Sequence, residues 1–432
     1  MIDSVLFWAK NYKLDGFRFD LMSFHSKESM LRLRQALRSL TLSKDGVDGS
    51  KILLYGEGWS FGSFFERYPQ EAMSLENSYA TEYGFFNDRI RDAVRGGTTN
   101  AWEKSDQGFA TGLFFDFNYE PANRNTPPDI WAQRDKLLHL GDVIKSGLAG
   151  NLRDFVFREH LGTKIKAGDL FYRGSPVAVA AQPLETVNYI VAHDGYSLWD
   201  AIQAKLPFHT PFRTPQTAST DERQRVAQLA IAIPLLGQGL PFIEGGTELL
   251  RSKNGDQDSY DSGDFFNRVD WTANTNYWGE GLPPSWKNIN EWSFWLPRLQ
   301  DPALQPSPAQ IQATSKYFKG LLRVRKSSPL FRMKSLSEVS QNLQFIDDES
   351  APEPGLIAMH LHDSHESILV FFNSSKDPRV FAHPLLARAW KLHPDLDSKT
   401  DPVLSGMVLS QEKTSIQIPG RTTVVLVSGG LR

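Results

Sequence analysis

Short apolar runs that each end on an acid, with helical periodicity between them, constrain this chain more than anything else in it. Residues 14–19 lead into Asp20, residues 51–55 lead through Gly56 into Glu57, and residues 187–191 lead through Ala192 and His193 into Asp194. Runs this short and this apolar read as strands buried on both faces, and such strands belong in a parallel sheet covered by helices. The intervening stretches supply the helices. Val5, Trp8, Ala9 and Tyr12 share one helical face before the first run. After it, Ser26 caps a helix with Glu28 in its first turn and Met30, Leu33, Leu37 and Leu40 as its buried stripe. Gly46 and Gly49 break the chain before the second run.

The same unit recurs later. Residues 221–233 carry Val226, Leu229, Ala230 and Ile233 at helical spacing, ended by Pro234 or by the Gly237-Gln238-Gly239 turn. Residues 240–243 form another short strand closed by Gly245-Gly246. Residues 311–325 form a further helix with Tyr317, Phe318, Leu321, Leu322 and Val324 as its apolar positions. Two long segments, 96–130 and 251–308, are rich in Gly, Asn, Asp, Pro and aromatics and are expected as ordered loops over a cleft. Beyond about residue 330 the pattern changes. Residues 356–361, 367–372, 415–418 and 422–427 are short β-prone runs separated by turn formers, the pattern of a small antiparallel sandwich. The expected division is therefore 1–328 and 329–432.

Composition removes several function classes. The formal net charge is −3, which gives no general attraction to nucleic acid or anionic membrane. No cysteine is present, so neither disulfides nor thiolate catalysis apply. Residues 1–12 mix Asp3, Lys10 and Asn11 with apolar positions and hold no signal-peptide core. No run of eighteen apolar residues occurs, so a membrane span is not expected. The 11 Trp, 12 Tyr and 28 Phe are enough for both a core and a sugar-stacking cleft.

Each acid has a bland reading beside the chemical one. Arg18 and Asp20 are two residues apart, so they point the same way along a strand, and the cation can hold the carboxylate ionised. The same geometry also describes a structural ion pair. Glu57 lies between two glycines that allow close backbone approach, with Trp59 as an apolar wall that would keep the acid protonated. A helix cap or surface acid is the alternative. His193-Asp194 can grip two adjacent sugar hydroxyls, or serve a metal or proton relay; no His/Cys/Asp/Glu spacing supports a structural zinc site. What favours chemistry is agreement. In β/α barrels the active site lies at the C-terminal strand ends, and all three acids are there. Two acids flanking one sugar ring are the minimum for cutting a glycosidic bond.

These segments resemble the alpha-amylase superfamily of glycoside hydrolases, and more narrowly the pullulanase and limit dextrinase group of starch-debranching enzymes. Asp15-Gly16-Phe17-Arg18-Phe19-Asp20-Leu21-Met22 resembles the nucleophile segment, Gly56-Glu57-Gly58-Trp59 the general acid/base segment in its debranching form, and 189–194 with Leu198-Trp199-Asp200 the transition-state-stabiliser segment. Residues 86–96 resemble the stretch at the sixth barrel strand, 246–253 the stretch after the eighth, and 258–268 the glucan-contacting loop. The resemblance implies Asp20, Glu57 and Asp194 as catalytic residues. It implies Arg18, Trp59, His193, Tyr260, Phe265, Phe266, Asn267 and Arg268 as substrate-binding residues. It further implies retaining hydrolysis of α-1,6 branch linkages in pullulan, amylopectin, glycogen-type or limit-dextrin glucans. No cofactor is required, and a structural calcium ion is not readable from the residues. Partners are a branched α-glucan but neither nucleic acid nor membrane, and a soluble, cytoplasmic or plastid-like setting is favoured.

The family's Asn-His segment after its third strand has no counterpart upstream of Asp20. The expected fold class is therefore α/β, a partial (β/α)8 TIM barrel of about strands four to eight followed by a C-terminal antiparallel β-sandwich, in an N-terminally truncated form of low activity on its own. Two alternatives stand beside this reading: another α-1,4-glucan hydrolase or transferase, and an inactive glucan-binding fragment.

Overall fold

The structure is a computed structural model that describes residues 1–209, 216–347 and 352–429. Its first layer is a parallel sheet that opens with β1 (Gly16–Phe19), β2 (Leu53–Gly56) and β3 (Gly84–Asn87). Two small antiparallel hairpins follow, β4 (Val156–Arg158) with β5 (Lys164–Lys166) and β6 (Phe171–Tyr172) with β7 (Ser175–Pro176). Then β8 (Thr186–Tyr189) and β9 (Leu240–Phe242) complete the sheet. The order β1-β2-β3-β8-β9 follows the chain, with every neighbouring pair parallel, which makes a partial barrel of five strands. The strands are shorter than their apolar runs suggest. β2 begins only at Leu53, because Gly49–Lys51 first closes a 3-10 turn capped by the Asp48 side chain.

Burial across the sheet is graded. β3 and β8 are buried at every position, whereas β1 and β9 are half-buried throughout. The buried pair holds two polar side chains that the sequence analysis overlooked. Asn87 donates to Asn188 Oδ1 at 3.0 Å, and Asn188 donates to the carbonyls of Gly147 and Gln238 at 2.8 and 3.0 Å. A buried amide costs free energy unless it is hydrogen-bonded, so this chain of bonds fixes β3 and β8 to the segments that flank them.

The expected helices form, with corrections. Lys27–Arg38 starts at Ser26, whose hydroxyl accepts the Ser29 N–H, and buries Met30, Leu33 and Leu37. Thr220–Leu236 opens on a Ser219/Glu222 capping box, runs through Pro234 and stops at Gly237. Pro308–Ser327 buries Tyr317, Leu321 and Val324 but leaves Leu322 exposed. In Ile2–Tyr12, Val5 and Ala9 are buried while Trp8 and Tyr12 are exposed, so the expected apolar face is split. The helix Ile130–Leu148 lies outside the sequence expectation. Its buried face includes Gln133, Asp142, Lys145 and Ser146, and those polar residues erase the apolar period.

The C-terminal strands are β10 (Leu343–Phe345), β11 (Leu356–His362), β12 (Glu366–Asn373), β13 (Arg379–Ala382), β14 (Lys391–Leu392), β15 (Val408–Leu409), β16 (Ser415–Ile418) and β17 (Thr422–Gly429). They form two antiparallel sheets, β10-β11-β12-β17-β14 and β13-β16-β15. The four strands expected from sequence are β11, β12, β16 and β17. Phe371 and Phe381 meet edge to face at 5.5 Å between the two sheets. One apolar cluster runs from Ile90 through the helices into Val427, so the C-terminal sheets pack against the helices of the first part. Arg225 clamps the junction, donating to both Asp401 carboxylate oxygens at 2.7 and 2.8 Å and to Thr422 Oγ1 at 2.9 Å. No described helix is long and apolar enough to cross a membrane.

Candidate active site

Asp20 and Glu57 are neighbours because β1 and β2 approach closely where the two strands end. Gly56 pairs with Phe19, and a Cβ on Gly56 would lie 2.1 Å from the Phe19 carbonyl oxygen. No other residue fits there without parting the strands. Beyond that pair, the Glu57 N–H donates to the Phe19 carbonyl at 3.1 Å, and the Met22 N–H donates to the Glu57 carbonyl at 2.6 Å. Gly58 is equally constrained: its Cβ would meet the Phe85 ring at 2.5 Å. The two glycines thus act by close approach between elements.

One guanidinium joins the two acids. Arg18 Nη1 lies 2.6 Å from Asp20 Oδ1 and Nη2 lies 3.2 Å from Glu57 Oε1. The carboxyls also share a hydrogen bond, which lowers the pKa of Asp20 and raises that of Glu57. Their other surroundings separate them further. The Arg18 hydrogen bond is the main cause that holds Asp20 below the usual carboxylate range. Burial is the main cause that pushes Glu57 up, against the opposing Leu21 N–H at 3.2 Å. Trp59 was expected as an apolar wall favouring the protonated acid. Instead its side chain hydrogen-bonds to Glu57 and pulls the pKa down, and burial outweighs it. Exposure follows the same division: the Glu57 side chain is 10% exposed and that of Asp20 is 69% exposed.

A cavity of about 250 Å³ opens beside this pair, lined by Arg18, Glu57, Trp59, His193, Asp194 and the Asp88–Arg95 helix among others, while Asp20 is not among its lining residues and meets it only through Arg18 and Glu57. His193 Nε2 lies 3.6 Å from Asp194 Oδ1, and both side chains stand out into the opening. Eight lining residues carried no individual assignment from sequence: Phe86, Asp88, Arg91, Arg95, Thr99, Tyr189, Val191 and Ala192. Arg91 donates to the Tyr189 hydroxyl at 2.7 Å and to Asp92 at 2.7 Å, which fixes the cavity floor. The available signal was Asp88, an acid directly after β3 as Asp20 follows β1. The charge density of residues 88–95 reads as a solvated helix, yet Arg91, Asp92 and Arg95 are buried.

Tyr260, Phe265, Phe266, Asn267 and Arg268 do not line this cavity. Asn267 is spent on its own loop, donating to the Ser259 and Gly263 carbonyls at 2.6 and 2.9 Å and accepting from Ser259 Oγ at 2.9 Å. Arg268 pairs with Glu280 and lies over the Phe265 and Tyr277 rings at 4.4 and 3.9 Å. Tyr260 and Phe265 remain exposed. Away from the cavity, Asp142, Glu159 and His160 bring one donor atom each within 4.8 Å of one another, a set that could take a metal ion. His160 already bonds to Asp142 through its ring at 2.6 Å.

Similarity to known proteins extends over the whole chain. Residues 273–429 match the family described as alpha-1,6-glucosidases, pullulanase-type, C-terminal. Chloroplastic pullulanase 1 of Arabidopsis thaliana is 39% identical over 98% of this chain and 44% of its own length. The pullulanase of Klebsiella aerogenes is 34% identical over 84% of this chain and 31% of its own length. The solved maltotriose complex of PulA from Klebsiella pneumoniae superposes with a TM-score of 0.86 at 31% identity, covering 100% of this chain and 45% of that one. The chain thus spans less than half the length of these relatives.

Proposed function

This chain belongs to the pullulanase, or starch-debranching, family, and we propose that it hydrolyses α-1,6-glucosidic branch linkages with retention of configuration. The observation that carries this reading is the Arg18 bridge between two carboxyls whose pKa values move apart. Divergent acids at one point are the signature of a nucleophile and a proton donor. Carboxyls that share one guanidinium and a hydrogen bond leave no room for the water that an inverting pair admits at roughly 6.5–9.5 Å, and they stand closer than the roughly 5–5.5 Å of a retaining pair as well.

Asp20, kept ionised by Arg18, attacks the anomeric carbon as Glu57 protonates the leaving oxygen. A glucosyl ester on Asp20 forms and the O6 of the main chain leaves as an alcohol. Glu57, now a carboxylate, takes a proton from water, the water oxygen displaces Asp20, and both groups return to their starting states. Asp194 and His193 hold sugar hydroxyls opposite the pair, and Asp194 stabilises the positive charge that develops on the ring. Trp59 supplies a stacking face inside the cavity. Tyr260, Phe265 and Phe266 offer glucan contacts from the outer loop, which Asn267 and Arg268 hold in shape. The substrate is a branched α-glucan, as the maltotriose bound to the Klebsiella relative suggests.

A second reading rests on one observation. The Asp20 and Asp194 side chains are each 69% exposed, and a nucleophile in open water gains little from its surroundings. That favours glucan binding without turnover by this polypeptide. Digestion of pullulan with the purified chain, with products separated by size, decides between them. Hydrolysis of α-1,6 bonds yields maltotriose units, α-1,4 cleavage yields other products, and binding without new reducing ends leaves the second reading.

A further inference from the structure

Lys253 is buried at 1% exposure, yet its ammonium is aimed at a backbone carbonyl: Nζ donates to the His193 oxygen at 3.0 Å. Among the described residues no carboxylate lies within 4.0 Å of it, although Glu244, Asp200 and Asp256 act on it from further away, with Arg251 opposing them. A lysine kept only to neutralise a buried acid would contact that acid, since burying a charge costs several kcal/mol unless it is paired (roughly, for any buried ion). This one is placed by other means. Asp200 Oδ1 accepts from Ser252 Oγ at 2.6 Å, and Asp200 Oδ2 accepts from the Lys253 and Gly255 N–H groups at 2.8 and 3.2 Å. Asp200 itself is buried on the helix Leu198–Lys205, which the His193–Asp194 loop enters through Ser197. The loop after β9 is thereby pinned to the helix after β8, and the lysine reaches back to the turn that precedes that helix.

We propose that Lys253 is a positioning residue that fixes the His193–Asp194 turn through the His193 carbonyl, so that Asp194 faces the Arg18–Asp20–Glu57 cluster. Its kinetic consequence rests on the debranching reading; its geometric consequence does not. A misplacement of about 1 Å at such a group can cost about 100-fold in rate.

The test compares wild type with Lys253→Met and Lys253→Arg by crystal structure, melting temperature and pullulan kinetics. In Lys253→Met the His193 carbonyl and Asp194 carboxyl should shift by about 1 Å or more, with kcat down about 10- to 100-fold and KM within about threefold. Lys253→Arg keeps a cationic donor and should restore part of kcat. If Lys253→Met does not fold, Ser252→Ala loosens the same clamp and should show a smaller loss of kcat in the same direction. An unmoved turn, or equal kcat losses in the Met and Arg variants that track melting temperature alone, overturns the proposal. Failure of the wild type to release maltotriose refutes the debranching reading instead, and the position of the turn in the variant crystal then decides this inference by itself.

Discussion

The two five-stranded sheets of this molecule are built to opposite specifications. In the C-terminal sheet β12 is buried at all eight positions and β17 at its first six. Isoleucine, leucine, valine and phenylalanine fill the middle of these strands, between buried polar ends such as Glu366, Asn373 and Thr422, and the sheet makes no contribution to the candidate cavity. In the parallel sheet only the middle strands are sealed. β1, which carries Arg18 and leads into Asp20, is half-buried throughout, while β2 runs from exposed Leu53 to buried Gly56 and leads into buried Glu57. Stability is concentrated where burial is complete, and chemistry where it is graded. A nucleophile needs solvent or substrate on one side and a cation on the other, and a sealed strand offers neither.

The largest effect that should separate the regions is loss of the proton donor. Glu57→Gln removes the acid but keeps its shape, and pullulan turnover should fall by about 10³-fold or more with little change in melting temperature. Steady-state kinetics beside a thermal melt checks this. Arg18→Ala should cost about 100-fold and also move the pH profile. Activity requires ionised Asp20 and protonated Glu57, so the acid limb follows Asp20 and the basic limb follows Glu57. Arg18 lowers both pKa values, so its removal should shift both limbs to higher pH, the acid limb more because Arg18 is the largest influence on Asp20. Gly56→Ala tests the strand contact itself. Its Cβ must push the Phe19 carbonyl away, so both activity and stability should fall together.

The C-terminal region should respond the other way. Asp401→Ala removes the carboxylate from Arg225, which keeps Thr422, Gln228 and the Arg421 carbonyl, and should lower stability by roughly 1.5–3 kcal/mol, the usual worth of hydrogen bonds to a charged group, while kcat of the folded fraction stays within about twofold. A denaturant titration with parallel kinetics checks it. The smallest effect concerns acid. His360 is buried between Gln344 and Ser367, and burial pushes its pKa down to about 3. The unfolded chain binds this proton near pH 6.5, so stability is complete above that pH and is lost as pH falls from there towards 3. In His360→Gln the decline in melting temperature between pH 7 and pH 4 should be shallower than in wild type.

How far the sequence reaches differs between the same two regions. The placing of Asp20 and Glu57 directly after β1 and β2 was legible because a short apolar run leading into an acid is a pattern of adjacent residues, whereas Asp194 was expected at a strand end and lies five residues beyond β8. The glycine pair around Glu57 was legible for the same reason. The Arg18 bridge was legible only in part, since the pair with Asp20 is local while the contact with Glu57 depends on strand register. Arg91 and Tyr189 are about a hundred residues apart and meet through a fold-level contact that no local spacing reports. The helix Ile130–Leu148 was hidden because its buried face carries Asp142 and Lys145, each satisfied by partners far along the chain: His160 for the first and Asp347 for the second. The short C-terminal strands β14 and β15, two residues each, leave no periodicity to read. Asn267 and Arg268 were implied as ligand contacts by the resemblance of residues 258–268, and the bonds that hold their side chains, to Ser259 and Gly263 for the first and to Glu280 for the second, depend on how the loop folds back and leave no local signal.

The central claim is that Asp20 carries the sugar during turnover. Reaction with an activated, fluorinated α-glucosyl donor, followed by peptide mapping by mass spectrometry, tests it most directly. The account predicts one glucosyl adduct per chain, on the peptide containing Asp20, which builds up in Glu57→Gln and is absent in Asp20→Asn. An adduct on another residue, or none in a chain that still releases maltotriose from pullulan, would contradict it.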